Sequence, residues 1–203
     1  MRRILSHLAS GGVVAAATET YFGLLADARS ASAIGRVFSL KGRDAAKGIA
    51  LLLPNREAWS DLVVTVPASA AMLADRFWPG PLTIALEARP ELDPRLVVDQ
   101  TVAVRLPGAS EAARIAAAFG APLTATSANL AGAPPAAESA EVLRAFARAC
   151  EAGEVVVAHG RAPGGAPSTL VRVDGGRLRV LRAGAVAESL LFGVVPGSGT
   201  PEM

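Results

Sequence analysis

The segment LVRVDGGRLRVL, residues 170–181, decides the class of fold. Two β-prone runs, Leu170–Val173 and Leu178–Leu181, flank Asp174-Gly175-Gly176. A tight turn between two strands needs positive backbone φ angles, which glycine adopts without steric cost. The segment therefore predicts a β-hairpin, and with it at least one antiparallel strand pair.

The rest of the chain mixes strand and helix patterns. Apolar runs predict strands at Val13–Ala17, Ile49–Leu53, Leu82–Leu86, Thr101–Leu106, Leu123–Ala125 and Glu154–Ala158. Helical spacing predicts helices at Arg2–Ser10, from Ser30 or Ser32 to Leu40, Pro67–Phe77, Ser110–Phe119 and Ser139–Cys150. We therefore expect a single α/β domain over residues 1–190, built on a mixed parallel and antiparallel sheet with flanking helices. Residues 191–203, rich in Gly, Pro and Ser, are expected to form a disordered tail.

The composition excludes several classes of protein. The chain has 203 residues with 1 cysteine and 2 histidines, so neither an intrachain disulfide nor a four-ligand Cys/His zinc site can form. Lys+Arg number 20 against 18 Asp+Glu, which leaves a formal net charge of only +2. No apolar run reaches the roughly 18 residues that a membrane-spanning helix needs. We expect a soluble cytoplasmic protein with no membrane partner.

Common catalytic signatures are absent from the sequence. There is no GxxxxGK[ST] phosphate loop, no GxGxxG fingerprint and no GxSxG elbow. What remains is a set of hydroxyl and cationic side chains at the ends of predicted strands, which suits an anionic ligand. Because no general base is obvious, these side chains favour a reaction that proceeds by positioning and charge neutralisation, such as phosphoryl or nucleotidyl transfer. Ser, Thr and Asn at strand ends also serve as turn formers and helix caps.

Arg105 is a single charge within the apolar strand TVAVRLP, residues 101–107. A charge inside a sheet needs a partner of opposite sign. The sequence leaves open whether that partner is an internal carboxylate or a bound ligand.

Taken in order, these segments resemble the motifs of the YrdC-like family of threonylcarbamoyl-AMP synthases in its short single-domain form. The matching segments are Thr18–Leu24, Lys41–Arg43, Lys47–Gly48, Phe77–Thr83, Thr101–Pro107, Thr126–Asn129, Pro167–Thr169 and Leu181–Gly184. Each motif is weak alone, but the ordered set is specific, and it covers residues 11 to 184. The resemblance implies a twisted open mixed sheet with flanking helices.

The resemblance also implies a reaction, in which L-threonine, bicarbonate and ATP, with Mg²⁺, give threonylcarbamoyl-AMP and pyrophosphate. The product would serve the threonylcarbamoyl modification of adenosine 37 in tRNA, with tRNA and its transferase machinery as partners. The implied threonine-binding residues are Thr18, Arg105 and Ser168. The implied ATP-binding residues are Lys41, Arg43, Lys47, Thr101, Ser127, Asn129 and Arg182. The resemblance implies no single general base and no metal ligand from a protein side chain.

The chain departs from the family pattern at four positions. Ala17 replaces a proline, Phe22 a tyrosine, Asp44 a proline and Ala131 a serine. Two alternatives to the synthase therefore remain: a non-catalytic RNA-binding paralogue that keeps the fold, and a related enzyme that forms a different carbamoyl-adenylate.

Overall fold

The computed structural model describes residues 1–42 and 48–195. Its strands are β1 (Val13–Ala17), β2 (Phe22–Leu25), β3 (Ala50–Leu52), β4 (Leu82–Glu87), β5 (Val97–Val98), β6 (Thr101–Arg105), β7 (Leu123–Ser127), β8 (Val155–Val157), β9 (Thr169–Asp174) and β10 (Arg177–Arg182). Its α-helices are α1 (Arg2–Ala9), α2 (Ala31–Lys41), α3 (Ala68–Phe77), α4 (Glu111–Phe119), α5 (Ser139–Ala145), α6 (Ala147–Glu151) and α7 (Glu188–Val194). Short 3-10 helices lie at Glu57–Asp61 and Pro94–Leu96.

The strands form one mixed sheet, in the order β10-β9-β4-β6-β3-β7-β2-β1-β8, with β5 paired to β6. Parallel pairs join β1 to β8, β3 to β6 and β4 to β9, while the other pairs are antiparallel. The predicted hairpin is confirmed as β9 and β10, whose closing pair is Asp174 and Arg177 around Gly175-Gly176. The predicted α/β fold on a mixed sheet is therefore confirmed.

Helices cover both faces of the sheet at β1. Every residue of β1 is buried, because α1 and α4 pack on one face and α2 and α5 contact the strand as well. Val14 belongs to a smaller core with Leu8 and Ile115, whereas Val13 belongs to the main core. A strand that is buried on both faces reads as a continuous apolar run, and this is what the sequence shows there.

Local signals set several helix ends where the sequence predicts them. The Ser30 hydroxyl accepts a hydrogen bond from the Ala33 amide at 3.3 Å, and Ser110 caps α4 in the same way at 3.2 Å from Ala113. Gly42 ends α2 in the left-handed conformation, with φ 57°. The α2 end matters for the site because it places Lys41 beside the end of β7.

One helix prediction is wrong in detail. The helix predicted over Ser139–Cys150 breaks at Phe146, and its N-cap is Glu138, which forms a reciprocal capping box with Glu141. At the other end of the described chain, α7 runs past residue 190, where the domain is predicted to end, to Val194, and its Leu191 is completely buried. Residues 196–203 of the predicted tail lie outside the described residues.

Strand β2 was not predicted, although it lies within the Thr18–Leu24 motif. It pairs with β1 on one side and with β7 on the other, so it brings the turn at residues 18–21 to the end of β7. Phe22, which stands where the family has a tyrosine, is fully buried. Within the described part of the chain, no helix is long and apolar enough to cross a membrane.

Candidate functional site

A cavity of about 750 Å³ lies over one face of the sheet, with walls from β2, β3, β4, β6, β7, β9 and β10. Seven of the predicted site residues line it: Thr18, Thr101, Arg105, Ser127, Asn129, Ser168 and Arg182. Lys41 is buried outside the lining, and Arg43 and Lys47 lie outside the described residues. Segments that are far apart in the chain thus converge on one site, as the motif pattern predicts.

Arg105 lies on β6 with only 6% of its surface exposed. Its Nη1 is 3.4 Å from the Glu19 Oε1, and Arg105 also lines the cavity, so an internal carboxylate and the ligand site meet at the same guanidinium. Burial lowers the pKa of Arg105 from its ordinary value; the Glu19 carboxylate opposes this shift, and the positive charge of Arg182 adds to it. The electrostatic coupling indicates that the two arginines face the same space.

Glu19 is a neighbour of the cavity, paired with Arg105, that the sequence reasoning missed. Both of its carboxylate oxygens are buried, and neither accepts a hydrogen bond within the described residues. Its side chain is 15% exposed, and its closest charged neighbour is Arg105. A carboxylate is rarely buried unless a cation lies opposite, and the sequence shows neither the burial nor the partner, so the pair becomes recognisable only in the fold.

Ser168, Thr83 and Arg182 form a hydrogen-bonded cluster at one end of the cavity. The Ser168 hydroxyl lies 3.0 Å from the Thr83 hydroxyl, and Arg182 Nη2 donates to the Ser168 carbonyl at 2.8 Å and to its hydroxyl at 3.1 Å. Burial lowers the pKa of Arg182. The cluster holds the guanidinium against the wall with its remaining donors available to a ligand.

A β-bulge in β10 brings two arginines to the same side of the sheet. The register with β9 shifts between Val180 and Arg182, so Arg179 pairs with Arg172 while Arg182 pairs with Leu170. Residues 179 and 182 would face opposite sides of a regular strand, because side chains alternate with a period of two. Both line the cavity because the bulge inserts one extra residue between them.

Lys41, which is predicted to contact ATP, is hydrogen-bonded to the residues at the end of β7. Its ammonium is enclosed by oxygens of the β7 end, donating to the Ser127 carbonyl at 2.5 Å and to the Asn129 carbonyl and Oδ1 at 2.9 Å each. The side chain is 4% exposed and stands at the last residue of α2, where the helix dipole favours a cation. Within the described residues, Lys41 therefore fastens the Ser127–Asn129 loop, and its contact with phosphate stays a prediction.

The Ser127–Asn129 loop is also tied internally. The Ser127 hydroxyl donates to Asn129 Oδ1 at 2.5 Å, and Asn129 Nδ2 donates to the Ala133 carbonyl. These bonds, with those from Lys41, fix two predicted nucleotide-binding side chains at the cavity wall.

The predicted threonine-site hydroxyl of Thr18 is committed to its own turn. It donates to the Tyr21 carbonyl at 2.7 Å and accepts from the Thr20 and Tyr21 amides at 3.1 and 3.2 Å. On the opposite wall, the Thr101 hydroxyl donates to the Val98 carbonyl at 2.8 Å across a two-residue hairpin turn. Both threonines therefore shape the cavity through turns that they hold together.

The charge of the cavity is strongly one-sided. The charged side chains among the described residues that line it are four arginines and one carboxylate: Arg105, Arg172, Arg179, Arg182 and Asp99. No His or Cys is among those lining residues, and no group of three His, Cys, Asp or Glu side chains placed to hold a metal occurs in the described part of the chain. Such a site can bind and neutralise an anion by guanidinium contacts, which suits positioning and charge neutralisation.

Comparison with known proteins shows the family of the chain. A family model described as telomere recombination, covering Sua5, YciO and YrdC proteins, matches residues 6–184. A threonylcarbamoyl-AMP synthase of Thiobacillus denitrificans is 36% identical over 180 residues, which cover 88% of this chain and 92% of that protein. A threonylcarbamoyl-AMP synthase of Pyrococcus abyssi is 40% identical over 126 residues, which cover 61% of this chain but 37% of that protein.

The fold matches a solved structure of the same kind. The crystal structure of P. abyssi Sua5 complexed with L-threonine has a TM-score of 0.85 and 31% identity, with 96% of this chain covered. The match covers 56% of the P. abyssi chain, so this chain spans little more than half of that protein.

Proposed function

Because the chain belongs to the Sua5–YciO–YrdC family, we propose that it is a threonylcarbamoyl-AMP synthase, a nucleotidyltransferase that makes threonylcarbamoyl-AMP and pyrophosphate from L-threonine, bicarbonate and ATP. The observation that carries the proposal is the cavity in which Arg105, Arg182 and Ser168 converge from three different strands or strand ends. Two relatives carry the synthase name, one matched over nearly its whole length and one over 37% of it, and a matched structure is that of a complex with L-threonine. These findings support the assignment of substrate class.

In this proposal Arg105 binds the threonine carboxylate. Its guanidinium presents a planar fork that matches a carboxylate in bidentate geometry, and Glu19 Oε1 lies 3.4 Å from its Nη1. Threonine would then lie between Arg105 and the Ser168–Thr83 hydroxyls, close to the Thr18 turn. Contacts with the guanidinium, with these hydroxyls and with the turn would orient the threonine amine, and this orientation favours its reaction with the bound carbon donor.

The nucleotide would occupy the rest of the cavity. The amine of threonine attacks the carbon of CO₂ derived from bicarbonate and loses a proton, and an oxygen of the resulting carbamate attacks the α-phosphorus of ATP while the bond to pyrophosphate breaks. Arg182 is placed to neutralise charge on the α-phosphate, and Ser127 and Asn129 contact the nucleotide from the wall that Lys41 fixes. Arg43 and Lys47 remain predicted phosphate contacts, and Thr101 a nucleotide contact.

Mg²⁺ is part of the proposal as a companion of ATP. The described residues offer Asp99 at the cavity and no cluster of three acidic, His or Cys ligands, so the donor set fits a metal that is carried chiefly by phosphate oxygens. When bound, the ion supplies charge neutralisation at the phosphates. The protein side of the site supplies the guanidiniums described above.

The product would be passed on for modification of adenosine 37 in tRNA. A mixed anhydride of a carbamate with AMP is reactive toward an amine, so a transferase and tRNA are the partners that this chemistry requires. Release of the product from an open, strand-lined cavity is compatible with such a transfer.

The test is an assay of pyrophosphate release with ATP, bicarbonate and threonine. We expect release that depends on threonine, and a fall in kcat/KM for threonine of at least about tenfold in Arg105→Ala, because a charge-assisted contact is lost. Arg114→Ala is the matched control, since Arg114 is 73% exposed on α4 and lies outside the cavity lining.

Each alternative has its own outcome in this assay. A folded protein that releases no pyrophosphate but binds RNA with strong salt dependence would be the non-catalytic RNA-binding paralogue. Pyrophosphate release that needs a carbamoyl donor, but not threonine, would indicate the related carbamoyl-adenylate enzyme. Either result overturns the proposed synthase.

A further inference from the structure

Residues 158–168 connect β8 to β9, and we call this connection the strap. In the sheet order, β1, β2, β7, β3, β6 and β4 lie between those two strands, so the strap joins distant parts of the sheet. Its last two residues, Pro167 and Ser168, line the cavity. The position of the Ser168 hydroxyl therefore depends on what holds the strap in place.

Hydrogen bonds to the β1–β2 turn hold the middle of the strap. The Gly164 amide donates to the Thr20 carbonyl at 2.7 Å, and the Tyr21 hydroxyl donates to the Gly165 carbonyl at 2.7 Å. Residues 165–167 are exposed, so packing contributes little to fixing this segment. Two adjacent hydrogen bonds, one of them from a side chain, therefore fasten the strap a few residues before Ser168.

The turn that fastens the strap is itself well fixed. The Thr18 hydroxyl donates to the Tyr21 carbonyl at 2.7 Å and accepts from the Tyr21 amide at 3.2 Å. The same turn carries Glu19, which lies 3.4 Å from Arg105. Residues 18–21 therefore reach both sides of the proposed threonine pocket: Arg105 through Glu19, and Ser168 through Tyr21 and the strap.

Tyr21 has no place in the family pattern given above. It is the only tyrosine of the chain, and the family tyrosine stands one residue later, where this chain has the buried Phe22. Tyr21 lines the cavity, and its 2.7 Å distance to the Gly165 carbonyl is that of a well-formed O–H···O hydrogen bond. The hydroxyl thus makes a contact that the motif alone does not predict.

We propose that Tyr21 is a positioning residue for threonine: its hydroxyl holds the strap against the β1–β2 turn and so fixes Ser168 across the pocket from Arg105. The proposal rests on the proposed function for the identity of the ligand. Tyr21 acts through the strap and need not touch the reacting atoms. Arg182 and Thr83 hold Ser168 directly, so loss of the Tyr21 hydroxyl loosens the approach to Ser168 without releasing it.

The first experiment measures amide hydrogen exchange in the strap without ligand. Tyr21→Phe removes only the hydroxyl, and exchange at residues 164–166 should accelerate at least about threefold, since a neutral hydrogen bond corresponds to roughly two- to tenfold in an opening equilibrium. Ser60→Ala is the matched control, because it removes a hydroxyl that donates to the Glu57 carbonyl at 2.8 Å, outside the cavity lining. Unchanged strap exchange in Tyr21→Phe would overturn the proposal.

The second experiment measures threonine and AMP binding by calorimetry, each without the other substrates. In Tyr21→Phe we expect threonine affinity to fall at least about threefold and AMP affinity to change less than about twofold, with neither changed in Ser60→Ala. In turnover, the KM for threonine should rise by the same factor while that for ATP stays within about twofold. An equal loss for both ligands would make Tyr21 a purely structural residue and overturn the positioning role.

The remaining outcomes separate this role from a direct contact and from the proposed function. Weaker threonine binding in Tyr21→Phe with unchanged strap exchange would mean that Tyr21 contacts the ligand itself, which overturns positioning through the strap. Threonine binding that depends on Tyr21 together with faster strap exchange, in a wild-type protein without threonine-dependent pyrophosphate release, would support the positioning role and reject the synthase. Threonine-dependent turnover that Tyr21→Phe leaves unchanged would keep the synthase and reject the positioning role.

Discussion

Replacing Glu19 by glutamine tests the ion pair behind the cavity. The change keeps the size of the side chain and removes its negative charge, which leaves Arg105 buried with its 3.4 Å partner neutralised. Removing one member of a buried pair costs about 3–5 kcal/mol, because the other charge stays desolvated. Arg105 lines a water-accessible cavity, so we expect the lower end, about 3 kcal/mol.

The assay is urea or thermal unfolding at pH 7 in a double-mutant cycle with Arg105→Met. For a chain of this size, about 3 kcal/mol corresponds to a fall in Tm of roughly 6–12 °C. Glu19→Gln/Arg105→Met should be more stable than Glu19→Gln, because the double variant has no unpaired buried charge. Asp75→Asn is the control for an exposed pair, since Asp75 is 64% exposed beside Arg56, and should change stability by less than about 1 kcal/mol.

The reasoning is refuted if Glu19→Gln is as stable as Asp75→Asn, or if the double variant is less stable than Glu19→Gln. A kinetic readout separates positioning from simple stability. Because Glu19 orients Arg105 and Arg105 is assigned to the threonine carboxylate, Glu19→Gln should raise the KM for threonine and leave that for ATP within about twofold. An equal rise in both would show that Glu19 supports the fold alone.

Two further predictions concern Lys41 and the C-terminal helix α7. Lys41→Met removes the hydrogen bonds from the ammonium to Ser127 and Asn129. Amide hydrogen exchange at residues 127–131 should therefore accelerate, and kcat/KM for ATP should fall at least about tenfold. Unchanged exchange would contradict the fastening role of Lys41. Leu191→Ala should lower the free energy of unfolding in urea by about 2–5 kcal/mol, because the side chain of this α7 residue is fully buried. A decrease below about 0.5 kcal/mol would show that α7 does not pack on the domain.

Local patterns predicted the elements that local interactions determine. Gly175-Gly176 fixes the β9–β10 turn, Ser30 and Ser110 cap their helices, and the apolar run of β1 is buried on both faces. Each of these depends on residues within a few positions in the chain. The convergence of the motif segments on one cavity was also predictable, since they follow predicted strands and strand ends share an edge.

The features that the sequence did not predict depend on contacts between residues that are distant in the chain. Strand β2 is short and forms because β1 and β7 flank it. Glu19 is recognisable only once β6 places Arg105 opposite, 86 positions along the chain. The opposition of Arg172 and Arg179 follows from a hairpin register, which a turn type determines but composition does not.

The distribution of lysine and arginine reflects geometry more than affinity for phosphate. Lysine occurs only at positions 41 and 47, and the remaining basic residues are arginines. At position 41 a compact ammonium meets oxygens of Ser127 and Asn129 at 2.5–2.9 Å from several directions, an arrangement that a planar guanidinium would not fill. The cavity wall instead carries arginines on strands, where a fixed fork can meet a flat carboxylate or a phosphoryl group. Lys41→Arg should therefore disturb the Ser127–Asn129 loop although it conserves the charge, which a purely electrostatic role for this residue would not produce.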